Sequence, residues 1–252
     1  MDLTNKIAIV AGSGNPEGIG FATAKTYVEH GATVMMIDIS AEVHELAESL
    51  GDKARAFTGD VSRFRDMELI IEKIIADYGR IDIVVNNAAV NIPGDSVETP
   101  MERWELHYNV NVKSQFIMSK LVIPQMRKQG YGSIVNMASA NSFVAEKQLY
   151  AYVGTKGAVR QQTMADALDN APYGIRINCI GPGLVNTGFN DEHHDKVDGG
   201  IDEVMKHIND IHPTGKPVTA QEVANMALFL ASDLSTGCIG GYYAVDGGFA
   251  IK

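Results

Sequence analysis

The chain has 252 residues, 45% hydrophobic and 21% charged, a balance that excludes a fibrous or disordered polymer and fits one packed domain. Its 21 Lys and Arg against 31 Asp and Glu leave a formal charge of −10, without the positive field that nucleic-acid phosphates require, so no nucleic-acid partner is expected. Apolar runs such as 32–37 fall far short of the ~18 residues of a membrane span, so no membrane partner is expected either.

Met1-Asp2-Leu3-Thr4 shows neither a basic nor an apolar targeting region, which points to a cytoplasmic protein. Cys179 and Cys238 have neither metal-ligand nor redox spacing. Short apolar runs then alternate with longer amphipathic stretches. A strand over 6–11 leads through glycines to a helix over 18–30, then a strand over 32–38 and a helix over 41–50. A strand follows over 54–58, then Ser62 as N-cap of a helix ending near Tyr78, a strand over 81–86 and a long helix over 104–129. Strand 133–138, helix 150–170, strand 175–180, helix 220–232 and strand 242–245 complete the pattern.

The strands are near-continuous apolar runs, as expected where both faces of a sheet are covered. About seven strands with helical crossovers imply a single-domain, Rossmann-type, doubly wound parallel α/β sheet with helices on both faces. The polar, irregular stretch 188–217 breaks the alternation and is expected to be a substrate lid.

The first strand runs into Gly12-Ser-Gly-Asn-Pro-Glu-Gly18-Ile19-Gly20, and glycines at such a turn let the backbone approach a pyrophosphate seated on the helix N-terminus. Asp38 ends the second strand, where a carboxylate can accept hydrogen bonds from both adenosine ribose hydroxyls. A 2′-phosphate there would meet that negative charge with no Lys or Arg in 12–20 or 39–41 to offset it, so the expected cofactor is NAD rather than NADP.

Tyr152 and Lys156 stand at i and i+4 on one helix face. An ammonium beside a phenol favours the phenolate and lowers its pKa from about 10, making the tyrosine a usable base for an alcohol proton. Ser139 lies at the end of the fifth strand, where ligands bind in open α/β sheets, and its hydroxyl can hydrogen-bond a substrate oxygen.

Together these residues resemble the short-chain dehydrogenase/reductase family over essentially the whole length. The resemblance rests on the glycine loop, Asp60-Val61, Asn86-Asn87-Ala88-Ala89, Asn111 in Val-Asn-Val-Lys, and Ser139 thirteen positions before Tyr152. It continues through Tyr152-Val-Gly-Thr-Lys156, Asn178-Cys-Ile-Gly-Pro182-Gly183 leading to Thr187, and Asp246-Gly-Gly248. It implies that Tyr152 exchanges the proton with the substrate oxygen and that Ser139 polarises that oxygen. Lys156 would bind the nicotinamide ribose and lower the pKa of Tyr152, and Asn111 would hold a water linking Lys156 to solvent. Asp60 and Val61 would contact adenine, Asn87 and Ala88 would support the cofactor, and Pro182, Gly183, Val185 and Thr187 would surround the carboxamide. It also implies a homo-oligomer, a tetramer in many members.

Three departures stand out. Ala11 replaces the family's threonine, five residues rather than three separate Gly12 from Gly18, and Ala89 replaces a glycine. The long loop resembles that of enoyl reductases, whose six residues between tyrosine and lysine would need tyrosine at position 149; Leu149 stands there. Asn141 and Gln148, with Asn91, Phe143, Ala145, Tyr150 and Leu184, are expected to border the substrate, and the two amides favour a hydroxylated small molecule such as a polyol or sugar-derived alcohol. A 3-oxoacyl thioester reductase is the alternative enzyme, and a dinucleotide-binding regulator without turnover the non-enzyme one. His193, His194 and His207 read as part of a solvated acidic lid, so no metal is expected.

Overall fold

The computed structural model describes residues 1–185, 187–189, 205–206, 210 and 212–251. Seven strands form one sheet: β1 (Ile7–Ala11), β2 (Thr33–Asp38), β3 (Ala54–Thr58), β4 (Ile83–Asn86), β5 (Gly132–Met137), β6 (Ile175–Pro182) and β7 (Tyr242–Val245). Their order is β3-β2-β1-β4-β5-β6-β7 and every neighbouring pair is parallel, so all the carboxyl ends share one edge. The order reverses at β1, where Ala11 pairs with Ile37 on one side and Asn86 on the other. A crevice opens outside the strand ends at such a reversal.

The helices are α1 (Ile19–Glu29), α2 (Val43–Ser49), α3 (Phe64–Tyr78), α4 (Met101–His107), α5 (Ser114–Gln129), α6 (Tyr150–Asn170) and α7 (Ala220–Ala231). Alternate strand residues feed opposite layers. Ala8, Val10, Val34, Met36, Ile83 and Val85 pack with Ala24 and Tyr27 of α1 and Val223 and Ala227 of α7. Ile7, Ile9, Met35, Ile37 and Val84 pack with Met67 and Ile71 of α3 and Met118 and Val122 of α5. The Tyr27 hydroxyl donates to the Ala227 carbonyl at 3.0 Å, joining α1 to α7. Arg176, buried on β6, donates to the carbonyls of Leu230 (2.7 Å) and Ser232 (3.2 Å), satisfying acceptors that the end of α7 leaves over.

The expected strands and helices are present, with three local differences. The helix expected over 104–129 is two helices, α4 and α5, joined by a π-helical turn, Tyr108–Lys113, that contains Asn111. π-turns concentrate at functional sites, and this one carries an amide with tertiary partners described below. Helix α3 begins at Phe64 because Ser62 is drawn back: its N–H and hydroxyl both donate to Asp60 Oδ1, at 2.8 and 2.7 Å. β6 runs two residues further than expected, to Pro182, by pairing with β7 through Val245.

Helix α7 starts with a full capping box: Thr219 Oγ1 accepts from the Glu222 N–H at 3.1 Å, and Glu222 Oε2 accepts from the Thr219 N–H at 2.8 Å. Thr219→Ala removes half of this box. It should lower unfolding free energy by ~1 kcal/mol in urea titration and leave turnover unchanged.

Candidate active site

A cleft of about 690 Å³ lies along the carboxyl edge of the sheet, over the reversal between β1 and β4. One end is built by the glycine loop. Gly12 has φ 79°, and a Cβ there would lie 2.5 Å from the Ala88 nitrogen. A Cβ on Gly20 would overlap the Gly12 carbonyl oxygen, which also accepts from Asn87 Nδ2 at 2.7 Å. Gly18 caps α1 with no side-chain hydrogen bond, and the first turn carries no acidic residue. The leading N–H groups of α1 are therefore unclaimed by a cap beside a glycine-lined cleft, which is the donor set a pyrophosphate requires.

The Asp38 carboxylate lines this end. Oδ2 accepts from the Gly14 N–H at 2.7 Å and Oδ1 from the Ser40 N–H at 3.0 Å, which fixes its plane and leaves lone pairs for ribose hydroxyls. Among the described residues that line the cleft, Lys156 is the sole lysine or arginine, and it stands at the opposite end. The residues present fit a dinucleotide.

At that far end Ser139 follows β5, and Tyr152 and Lys156 rise from one face of α6. The Tyr242 hydroxyl donates to the Ser139 carbonyl at 3.1 Å, holding the serine where the strand ends. Lys156 Nζ lies 5.5 Å from the centroid of the Tyr152 ring and donates to the Met137 carbonyl at 2.7 Å.

Burial pushes the Lys156 ammonium down to about 7 and the Tyr152 phenol up to about 12; the Ser139 hydroxyl opposes the latter and the negative charge of Glu146 adds to it. The expected lowering of the Tyr152 pKa by Lys156 is thus not the direction found. Both groups sit on a desolvated floor that favours their neutral forms, and the lysine spends a hydrogen bond on a backbone carbonyl.

The matched residues span nearly the whole chain. A family model described as "Enoyl-(Acyl carrier protein) reductase" matches residues 12–250. An NAD-dependent glycerol dehydrogenase of Listeria innocua is 32% identical over 100% of this chain and 96% of its own length. The chain belongs to the short-chain dehydrogenase/reductase family. A 3-oxoacyl-[acyl-carrier-protein] reductase of Thermotoga maritima is 32% identical over 100% of both chains. A solved structure from Beutenbergia cavernae, provisionally described as an NAD(P)-dependent gluconate 5-dehydrogenase with NADP at low occupancy, superposes with a TM-score of 0.92. It is 30% identical and covers 100% of this chain and 99% of that one. Members of this family carry NAD(P), consistent with the donor set described above.

In this short-chain dehydrogenase/reductase the cleft gathers Gly12, Gly18, Ile19, Asp38, Asp60, Val61, Asn87, Ala88, Pro182, Gly183, Val185 and Thr187 beside Ser139, Asn141, Tyr152 and Lys156. Gly20 lies behind the wall, under the Gly12 carbonyl. Asn111 is also behind it: Oδ1 accepts from the Val90 N–H at 2.8 Å, and Nδ2 donates to the Val90 carbonyl and Thr155 Oγ1 at 2.9 and 3.1 Å. Its side chain ties the loop after β4 to α6 instead of projecting into the cleft.

Gln148 is not a lining residue. Its φ is 62°, and its carbonyl accepts from the Gly94 N–H at 2.7 Å, so it works through backbone geometry. Phe143 packs edge-on against Tyr242 at 4.6 Å, and neither Phe143, Ala145 nor Tyr150 lines the cleft. Most of 188–217, including His193, His194 and His207, lies outside the described residues. Among the described residues no group of three His, Cys, Asp or Glu could hold a metal.

Sequence reasoning missed Gly14, Asn15, Glu146, Phe189 and Phe249, all of which line the cleft. The lengthened loop was the available signal for the first two. Asn15 Nδ2 reaches the Thr187 carbonyl at 3.0 Å, and a Cβ on Gly14 would lie 2.6 Å from Asp38 Cγ.

With Lys156 near 7 when folded, against the ordinary 10.5, the unfolded chain binds a proton between those values that the folded chain does not. Stability therefore rises with pH across that window, and the burial cost is full below it. Lys156→Met should be more stable than the parent at pH 6, by ~2–4 kcal/mol, with the gap shrinking toward pH 10 in denaturant titrations at each pH.

Proposed function

We propose that this chain is an NAD-dependent dehydrogenase that interconverts a secondary alcohol, of the polyol or sugar-derived kind, with its ketone. The observation that carries the reading is the convergence of Ser139, Tyr152 and Lys156 at one end of a single cleft whose other end is the glycine loop and Asp38. The glycerol dehydrogenase similarity supports an alcohol substrate. The nicotinamide supplies the hydride acceptor or donor.

The protein supplies position and the proton path. Ser139 Oγ, oriented by the Asn141 N–H at 3.1 Å, is placed to hydrogen-bond the reacting oxygen. Tyr152 takes the alcohol proton in oxidation and returns it in reduction. Lys156 is the cation nearest the phenol and, on this reading, would hydrogen-bond the nicotinamide ribose. Asn111 acts at one remove, joining Val90 to Thr155, the residue before Lys156. Pro182, Gly183, Val185 and Thr187 would hold the carboxamide, Asp60 and Val61 would flank adenine, and the Asp38 charge would disfavour a 2′-phosphate.

Three further assignments complete the reading: one catalytic domain over 1–252 with a lid at about 188–217, a cytoplasmic location, and a homotetramer. No helix among the described residues is long and apolar enough to cross a membrane. Phe116 and Leu168, on α5 and α6, are 60% and 76% exposed, which supports burial against other copies.

A 3-oxoacyl thioester reductase is the second reading, supported by the Thermotoga relative. The net charge of −10 opposes docking of an acidic carrier protein. The enoyl reductase named by the family model would need a tyrosine at position 149, where Leu149 is buried. A regulator without turnover is disfavoured by the presence of all four residues, Asn111, Ser139, Tyr152 and Lys156.

Initial rates of nicotinamide reduction should favour NAD over NADP on secondary alcohols and polyols. Tyr152→Phe should lose a factor of about 10²–10⁴ in kcat while cofactor affinity stays within about threefold. Faster turnover with NADP would overturn the Asp38 assignment, and faster turnover on oxoacyl thioesters would promote the second reading. Light scattering should give a tetramer mass; a monomer would refute the oligomer.

A further inference from the structure

We infer that Glu146 sets the substrate class: its carboxylate, held by Asn141 at the substrate end of the cleft, selects neutral polyhydroxy alcohols over substrates that carry a carboxylate. The inference rests on the alcohol dehydrogenase reading above and narrows it.

Glu146 lines the same cleft as Ser139 and Tyr152. Asn141 Nδ2 donates to Glu146 Oε2 at 2.9 Å and to the Val144 carbonyl at 3.3 Å, while the Asn141 N–H donates to Ser139 Oγ. The Ser139 hydroxyl donates in turn to Asn141 Oδ1 at 3.3 Å, so one amide side chain ties the carboxylate to the serine. The charge is close enough to act on the reacting tyrosine, whose phenol it pushes upward.

A carboxylate is an acceptor without a donor, so the substrate groups that satisfy it are further hydroxyls of the same alcohol. Glu146 is exposed at the cleft mouth, and a second carboxylate beside it would meet like charge. Neither nearby cation forms an ion pair with it. Lys156 donates to the Met137 carbonyl, and the Arg160 guanidinium lies 4.1 Å over the Phe143 ring, outside the cleft lining. Glu146 also bears on the gluconate dehydrogenase likeness: the overall fold is shared, yet an aldonate would place its charge against this residue.

D-Glucitol and D-gluconate separate the cases, since they differ only by hydroxymethyl against carboxylate at one end. Initial rates with NAD should give the parent a kcat/KM at least about tenfold higher on glucitol than on gluconate. Glu146→Gln, which keeps the amide-to-oxygen contact and removes the charge, should lower that ratio at least about tenfold, mainly through KM. Glu146→Asp should retain most of the preference.

An unchanged ratio in Glu146→Gln, or a parent that prefers gluconate, overturns the role of Glu146 while the dehydrogenase reading stands. Absence of NAD- or NADP-linked turnover on any alcohol overturns that reading and this inference with it. Should Glu146→Gln fail to fold, Glu146→Ala tests the same ratio, and an unchanged ratio there overturns the assignment.

Discussion

A parallel strand cannot turn directly into its neighbour; each must be followed by a crossover that returns the chain to the starting edge. Seven such strands therefore present all their carboxyl ends together, and the functional groups of this chain are drawn from those ends. Asp38 ends β2, the glycine loop follows β1, Asn87 and Ala88 follow β4, and Ser139 follows β5. Residues separated by about a hundred positions meet because each closes a strand in the same direction. Without the fully buried strands β1, β4, β5 and β6 to hold those ends in register, the cleft would have no fixed floor.

Close backbone approach supplies the second constraint. The Gly12 carbonyl is shared between Asn87 Nδ2 and the space under Gly20, so β1, β4 and the start of α1 are locked at one point. The same compression that admits a pyrophosphate excludes side chains. The two extra residues between Gly12 and Gly18 are accommodated by contacts within the loop: Gly14 against Asp38, and Asn15 across to Thr187. The departure from the family's usual loop length thus links the glycine-loop end of the cleft to the segment after β6.

The catalytic floor shows a conflict between folding and chemistry. Burial disfavours charge on both Tyr152 and Lys156, yet proton transfer needs the ionised phenol and a nearby cation. Glu146 raises the cost of the phenolate further while giving the mouth of the site an acceptor for hydroxyl groups. Ser139, Asn141 and Glu146 form one hydrogen-bonded line at that end of the cleft. Stability is conceded at this floor for reactivity, as is usual where function requires buried ionisable groups.

Periodicity and local spacing were enough, in the amino-acid sequence alone, for the seven strands, most of the helices, the glycine turn, Asp38, and the Tyr152–Lys156 pair. Each depends on residues near one another in the chain: apolar runs, a strand-to-helix turn, an i,i+4 helix face. Tertiary structure alone decided the rest. The π-turn at Asn111 arises because its amide finds Val90 and Thr155, partners 21 and 44 residues away. Gln148 left the substrate wall because the Gly94–Leu149 bridge fixes its backbone in a left-handed conformation. Glu146 entered that wall because the fold brings it to Asn141 beside Ser139. The protonation preferences of Tyr152 and Lys156 follow from desolvation, which no local pattern records, because burial is a property of everything packed around a residue rather than of its neighbours in the chain.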